Sequence, residues 1–575
     1  MEPSSLFKLP IEYNEPKQLS PCVSSDLQIE SIYSQSLYGI RSPYTQRLKD
    51  KVLSYYTTNS DFLRDHQQFL KDYQPIPISQ EIAYYETWDS FYPCNHFCEK
   101  YQYIEWDHLE CFNHSSLVMQ LLTFCNLSSP FMLFISPLFM FIVPFFILSF
   151  ISKIPITFEN YMHLLKQVMK QHAFGRIFSS FSNGDGIQKK ISGVCFLIFY
   201  ISSIYQNILS CVRFYRNINH MKQFLYKTKC FLEGLWNHMT SLVSYMKDKD
   251  SFIECITDIE RNKNHIQEKI QYIHNITSVP FHPKNIMQVG EFMKQFYAFQ
   301  KEKDYISCIS YSFDVLCCIH YLNILNEKLK SKTLQYCTYT KKRTSLKQQY
   351  YMHHMYNKDV VKNKVELDKN ILITGPNASG KTTLLKSTMM NQILSQQIGV
   401  GCYGEKTKIK CYDTFFSYLN IPDTCKRDSL FQAEARRCLD IINYVKNHPK
   451  EDIYIIFDEL YSGTNPEEAV LSSKAFISYL NQFDVTFMIT THYYDICKKI
   501  EREKMRNMHM HASKENGKIH YSYRFKPGIS YVKAGIVVLE ELGYPPEILQ
   551  SIKSEENSNT QDDTIDDAQE EKEEK

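Results

Sequence analysis

Two parts of this 575-residue chain carry residue types that do chemistry together. The first reads Gly375, Pro376, Asn377, Ala378, Ser379, Gly380, Lys381, Thr382, Thr383. Glycines at both ends of four spacers let backbone N–H groups close around phosphate oxygens with no side chain in the way. A helix opening at Gly380 adds the positive end of its dipole. In that frame residues 375 to 383 cradle the phosphates of a nucleotide, Lys381 reaches the β and γ phosphates, and Thr382 holds Mg²⁺. The second part, Asp452-Ile-Tyr-Ile-Ile-Phe-Asp-Glu459, ends an apolar run in two adjacent acids. Phosphoryl transfer to water needs one carboxylate to neutralise charge and one to orient the nucleophile. Asp458 is expected in the first role, holding Mg²⁺ through water, and Glu459 in the second. A further apolar run, Val485 to Thr490, leads to Thr491 and His492 and brings an imidazole to the γ-phosphate position.

These groups need a sheet to carry them. Ile371 to Ile373 reads as a buried strand feeding the phosphate loop, after which the pattern turns helical; the stretches before Glu459 and His492 read as two more strands. Between the loop and the two acids, Ser429 with Gln432 three residues on makes a capping box. Ala435, Cys438, Ile442 and Val445 form the apolar face of the helix it starts. A capped helix N-terminus at a protomer interface is a ready anion site. An ordinary capped helix has the same text.

The order of phosphate loop, capped serine helix, Asp-Glu strand and histidine is that of the ABC-type P-loop ATPases, and the wording is closer to one branch. Thr374-Gly-Pro-Asn-Ala-Ser-Gly-Lys-Thr382, Gln397-Ile-Gly399, Ser429-Leu-Phe431 with Glu434, Asp458-Glu-Leu-Tyr-Ser-Gly-Thr464 and Thr490-Thr-His-Tyr493 resemble the ATPase domain of the MutS family of DNA mismatch-repair proteins. Gly528-Ile-Ser-Tyr531, Ala534-Gly-Ile536 and Leu542-Gly-Tyr-Pro545 look like that family's closing helix-turn-helix. The resemblance covers about residues 358 to 553. It implies ATP and Mg²⁺ as cofactors and ATP hydrolysis with Glu459 and His492 as catalytic residues. It also implies a homodimer, or a heterodimer with a related ATPase, in which Ser429 of the partner subunit meets in trans the γ-phosphate held by Lys381. Duplex DNA between long levers, and a role in mismatch repair or recombination, come with it. Mismatch recognition itself comes by family association alone. Phe97-Cys-Glu99 fits the family's Phe-x-Glu wedge, but so do Phe231-Leu-Glu233, Phe252-Ile-Glu254 and Phe457-Asp-Glu459, and a triplet that recurs so freely carries no information.

The length suggests about three or four domains. The expected organisation is a poorly ordered N-terminus at 1–36, a helical N-terminal region at 37–114 with Trp88, Phe91 and Trp106 filling a core, and a hydrophobic region at 115–212. A helical lever or core region follows at 213–357, then the α/β ATPase domain at 358–553 and an acidic disordered tail at 554–575. That tail carries ten acids against two lysines, a net of −8, so residues 1–553 carry +10 within a chain total of +2. The tail is a solvating end, a partner-binding segment or a DNA mimic. The body is only mildly basic, compatible with a polyanion and far from establishing one.

No charged residue occurs between Ser115 and Ser152, and a second uncharged run extends from Ile191 to Val212. The segments 129–151 and 191–212 are each long enough to cross a bilayer and together could form a membrane-embedded helical hairpin. Two features oppose it. The loop between them holds Lys153, Lys166, Lys170, Arg176, Lys189 and Lys190 against Glu159 and Asp185, contrary to the positive-inside rule, and Pro130, Pro137 and Pro144 each interrupt a helix. A buried helical core is the competing reading. Resemblance to MutS-related ATPases with hydrophobic insertions makes a membrane-anchored ATPase, tethering or remodelling a partner other than DNA, the alternative function. An ABC transporter is disfavoured, because Ser429-Leu-Phe-Gln432 replaces the expected Ser-Gly-Gly-Gln and two spans are too few.

Most of the 18 cysteines sit singly in apolar text and read as reduced, buried thiols. Cys94, Cys98, Cys111 and His114 have the short-long-short spacing of a zinc site, though the spacer lacks the glycine turns of zinc knuckles. Residues 1–30 show neither a basic start nor an apolar run, so no cleavable signal is expected. The expected location is intracellular, in the cytoplasm or at sites of DNA replication, with membrane association tied to the two apolar segments.

Overall fold

A computed structural model describes residues 7–38, 43–92, 96–150, 157–171, 187–273, 275–277, 282–419, 421, 430–498, 504–515, 518–532 and 535–552. The chain forms two compact units. The described part of the first lies within Ile78–Thr240 and Glu260–Ser312. Its main elements are α1 (Ser116–Phe150), α2 (Ile187–Met246, up to Thr240 in this unit) and α3 (Val289–Lys301). Pro130, Pro137 and Pro144 do not break α1, which is helical throughout. α2 buries Phe214, Ile218, Met221, Leu225, Leu232, Leu235 and Met239 at helical spacing. Phe224 of this helix meets Phe296 of α3 edge-on at 5.3 Å, and Phe91 lies 4.8 Å from Phe224, so the core is aromatic. The first turns of α1 pack on α3, where a Cβ at Gly290 would meet Ser116 O at 2.3 Å; only glycine permits that approach. Gln120 fixes the register, donating from Nε2 to Ile286 O at 2.9 Å and accepting from Gly290 N–H at 2.9 Å.

Trp88 is buried here as expected, but Trp106 is 73% exposed. Asn113 explains the difference. Its side chain clasps both backbone groups of Ile104, at 3.0 and 2.9 Å, and holds the chain around Trp106 in an irregular loop on the surface.

The second unit lies within Phe7–Pro77, Ser241–Ile259 and Phe313–Lys575. Its centre is a six-stranded sheet of β1 (Asn370–Thr374), β2 (Thr414–Tyr418), β3 (Ile453–Asp458), β4 (Val485–Thr490), β5 (Met505–Glu515) and β6 (Lys518–Pro527), in the spatial order β2-β3-β4-β1-β5-β6. All neighbours are parallel except β5 and β6. Ile371 to Ile373 and Ile453 to Phe457 are buried, as strands covered on both faces must be, which is why they read as unbroken apolar runs. Helices α4 (Lys381–Ile398), α5 (Leu430–Asn447) and α6 (Pro466–Leu480) complete the α/β domain. α5 buries Cys438, Ile441 and Val445, with Ala435 and Ile442 packed half-buried against the same core.

Residues 7–38 do not follow the expectation of a poorly ordered N-terminus: they form short helices that bury Phe7, Leu9, Ile11, Val23, Leu27, Ile29, Ile32 and Tyr33. Together with residues 43–77 they cover α4, so this unit reaches well beyond 358–553. Tyr33 OH donates to Gln397 Oε1 at 3.1 Å, Gln396 Nε2 to Thr57 O at 3.2 Å, and Gln67 Nε2 to Gly399 O at 2.6 Å. The apolar residues are few and interrupted by prolines and polar text, and their anchors are amides more than 300 residues away. Residues 554–575 lie outside the described residues.

Candidate functional site

The sheet register assembles the site. Asp458 pairs with Thr490 across β3 and β4, and Thr490 with Ile373 across β4 and β1. The C-terminal ends of three parallel strands therefore lie level, and the chain leaving each delivers the glycine loop at 375–380, Asp458-Glu459 and Thr491-His492 to one edge.

The loop has the backbone its sequence requires. Gly375 has φ +148° and Gly380 φ +95°, and a Cβ at Gly375 would meet Ser379 Oγ at 2.9 Å and Met510 O at 3.2 Å. Lys381 is buried, with Nζ donating to Gly375 O at 3.0 Å and Pro376 O at 3.3 Å. Burial pushes its ammonium below the usual lysine range, against the pull of Glu459 and Asp458. Thr382 Oγ1 donates to Asp458 Oδ2 at 2.7 Å, and Thr490 Oγ1 donates to the other oxygen at 2.5 Å. The two expected Mg²⁺ ligands are thus in direct contact.

Glu459 follows with φ 55°, a left-handed conformation that a non-glycine residue adopts only when its surroundings hold it there. Its N–H donates to Thr490 Oγ1 at 3.1 Å, and its Oε1 lies 2.5 Å from His492 Nε2. A carboxylate only accepts, so Nε2 carries the hydrogen, and Lys381 Nζ, 3.4 Å from Nε2, makes no bond to it. The His492 bond holds Glu459 below the usual carboxylate range, with help from the charges of His492 and Lys381 and against its burial.

A cavity of about 870 Å³ opens over the loop, lined by Ala378 to Thr383, Glu459, Tyr351, His354 and Tyr523 among others. Its size suits a nucleoside triphosphate. Ser379 Oγ is buried with no hydrogen-bond partner among the described residues, beside a glycine cradle that a side chain would fill. Both features fit phosphate oxygens.

Thr382, Asp458, Glu459, Lys381 and His492 lie together in the structure. Ser429 lies outside the described residues, one position before α5. The zinc expectation is not met among the described residues, where no group of three His, Cys, Asp or Glu is placed to hold a metal. Cys94 lies outside them, Cys98 is half-buried, Cys111 is exposed, and His114 sits against Glu302 at 3.2 Å and edge-on to Tyr297.

Two residues with a part in this site had no role assigned from sequence. Thr490 braces Asp458 and Glu459 together. Glu434, buried in α5, accepts from Ser462 Oγ at 2.8 Å, Ser462 N–H at 3.2 Å and Gly463 N–H at 3.2 Å, tying α5 to the loop after Glu459. A signal for Glu434 existed: an acid on the apolar face of an amphipathic helix must find donors.

Residues 371–559 match the family model described as MutS domain V. Over 199 residues the chain is 29% identical to the DNA mismatch repair protein MutS of Listeria monocytogenes serotype 4a, covering 33% of this chain and 22% of that protein. The same-named protein of Geobacillus sp. (strain WCH70) is 28% identical over 189 residues, 32% of this chain and 21% of that one. For Lactobacillus acidophilus the identity is 26% over 196 residues, 33% and 22%. The chain thus spans about a fifth of the length of the curated relatives it matches.

Proposed function

We propose, from the premise that this chain belongs to the MutS family through its domain V, that it is an ATP hydrolase whose nucleotide cycle gates a dimer on duplex DNA. The observation that carries the reading is the meeting of Lys381, Thr382, Asp458, Glu459 and His492 at one sheet edge, beneath a cavity of triphosphate size. The backbone N–H groups of residues 377 to 383 and the Lys381 ammonium bind the phosphates. Thr382 and Asp458 are the residues to hold Mg²⁺, which when bound neutralises phosphate charge. Glu459, kept ionised by His492, orients the attacking water and takes its proton. The water oxygen bonds to the γ-phosphorus as the bridging bond to the β-phosphate breaks, giving ADP and inorganic phosphate.

Ser429 of the partner subunit completes the site in trans, so that ATP favours the closed dimer through contacts absent from the open one. The second protomer is another copy of this chain or a related ATPase. Duplex DNA is the proposed polyanion for the mildly basic body, inside the cell and at sites of replication; discrimination of mismatches is not part of the proposal. The test is ATP binding and hydrolysis by the full chain with no DNA, matched duplex and mismatched duplex, beside Lys381→Ala. The expected result is a rate that DNA alters and a variant that no longer binds ATP. A rate indifferent to both duplexes overturns the DNA assignment, and undiminished ATP binding by Lys381→Ala overturns the site.

A further inference from the structure

Among the described residues three helical segments are long and apolar enough to cross a membrane, Ser116–Ser136, Ile191–Met246 and Lys303–Lys330. Most of the apolar window in Lys303–Lys330 is buried within the protein, and this helix is ordinary core. The other two belong to α1 and α2 and behave differently.

α2 changes character along its length. From Phe214 onward it buries a stripe at helical spacing, the mark of a helix packed on protein. From Ile191 to Val212 no large side chain is buried, and Phe196, Leu197, Ile198 and Phe199 are all exposed. Four consecutive residues at 100° intervals look out in nearly every direction. α1 divides likewise. Met119 and Thr123 are fully buried where it packs on α3, whereas beyond them Phe131, Met132, Phe134, Phe139, Ile142, Val143, Phe146 and Ile147 are exposed.

The two apolar stretches lie side by side and antiparallel. Tyr200 OH donates to Leu133 O at 3.1 Å, and Cys211 Sγ lies 3.8 Å from Leu127 O. The 22 residues from Ile191 to Val212 span about 33 Å at the helical rise, close to the thickness of a hydrocarbon core of about 30 Å. Cations bound this length in sequence, Lys189 and Lys190 before it and Arg213 and Arg216 after it. In both stretches several polar side chains turn back on their own helices: Ser128 Oγ donates to Phe124 O at 2.6 Å, Ser136 Oγ to Leu133 O at 2.9 Å, and Asn207 Nδ2 to Ser203 O at 2.8 Å. Self-satisfied polar groups suit a medium that offers no partners.

We infer that α1 beyond Phe124 and α2 before Arg213 form a hairpin inserted in a lipid bilayer, anchoring the chain. A protein groove covers one stripe of a helix. Only an apolar solvent covers every face of two, and the charge-free length matches that solvent's thickness. The basic residues between the helices oppose the usual topology bias, and that bias governs orientation and not whether the hairpin partitions.

The test is flotation of the full chain with vesicles of phosphatidylcholine, alone and with a quarter phosphatidylglycerol, followed by an alkaline carbonate wash. The comparison is the double variant Phe134→Asp with Phe199→Asp, whose sites are exposed and outside both cores. Each aspartate near mid-bilayer weakens insertion roughly a hundredfold. The expected result is wild-type chain that floats on both vesicle types and resists the wash, and a variant that stays with the soluble fraction while still hydrolysing ATP. Three results overturn the inference. One is release of the wild type by carbonate or dependence on the anionic lipid, which means surface attachment. Another is flotation of the variant equal to the wild type. The third is wild type that does not float but forms a defined oligomer that the variant disperses, which makes a second copy the cover.

Discussion

Glu434→Ala removes the link between the helix that follows Ser429 and the loop that follows Glu459. Its carboxylate, 2% exposed, takes three hydrogen bonds, from Ser462 Oγ, Ser462 N–H and Gly463 N–H. A bond to an ionised acceptor contributes roughly 1.5–3 kcal/mol. Ser462 and Gly463 are open to water, which takes over part of what they lose, so about 1 kcal/mol for each bond and about 3 kcal/mol in all is the working figure. Unfolding of the whole two-unit chain is not a two-state readout, and a local one is needed. Amide hydrogen exchange at Ser462 and Gly463 and along Leu430–Asn447 is that readout, and a loss of this size raises exchange about a hundredfold. Glu434→Gln keeps the shape but turns an NH₂ toward a donor, and a rise of about tenfold is expected. ATP hydrolysis falls in both variants, more in the alanine. Exchange and hydrolysis that stay within about twofold of wild type in Glu434→Ala refute the coupling.

Further perturbations separate the remaining parts. Thr490→Val deletes the hydroxyl that donates to Asp458 and accepts from Glu459 N–H; the rate of ATP hydrolysis is expected to fall about tenfold or more, with the Mg²⁺ concentration for half-maximal rate raised. Gly399→Ala forces a side chain onto a residue with φ +79°, where the new Cβ meets Gln67 Cγ at 2.7 Å. A loss of about 1–3 kcal/mol is expected, read as faster proteolysis within residues 7–77. His492→Ala removes the main cause of the lowered Glu459 pKa. A depressed carboxylate contributes stability that is present above its ordinary pKa and lost as pH falls through the lower folded value. In the variant Glu459 takes up its proton at higher pH, so the acid limb of the pH–rate profile moves upward; an unmoved limb rejects the role given to this contact.

The strands that lead to the glycine loop, the Asp-Glu pair and the histidine were legible because each is local, a few apolar residues followed at once by the groups they deliver. That the three meet was expected from their order, each following an apolar strand, and the resemblance implied the same. The sheet register that levels Ile373, Asp458 and Thr490 has no trace in any one segment. Residues 7–38 depart from expectation for a related reason. Their apolar residues are spaced by turns and prolines with no single period, and among their partners is the buried amide of Gln397 in α4, bonded to Tyr33, which in isolation looks like part of an ordinary polar face. Trp106 shows the opposite case: spacing suggested a core position, and the Asn113 side chain clasps Ile104 in the irregular loop that carries Trp106 on the surface. Ser429, expected as a cap, lies outside the described residues, and its proposed meeting with a nucleotide depends on a second protomer.

The measurement that bears most directly on the account is ATP binding and single-turnover hydrolysis by Glu459→Gln beside the wild type. Glu459 sits at the meeting point of His492, Lys381 and Thr490, and the account assigns it the water and not the nucleotide. The predicted result is ATP affinity within a few-fold of wild type and a hydrolysis rate reduced by about a hundredfold or more. Turnover equal to wild type would contradict the assignment of this cluster as the hydrolytic centre.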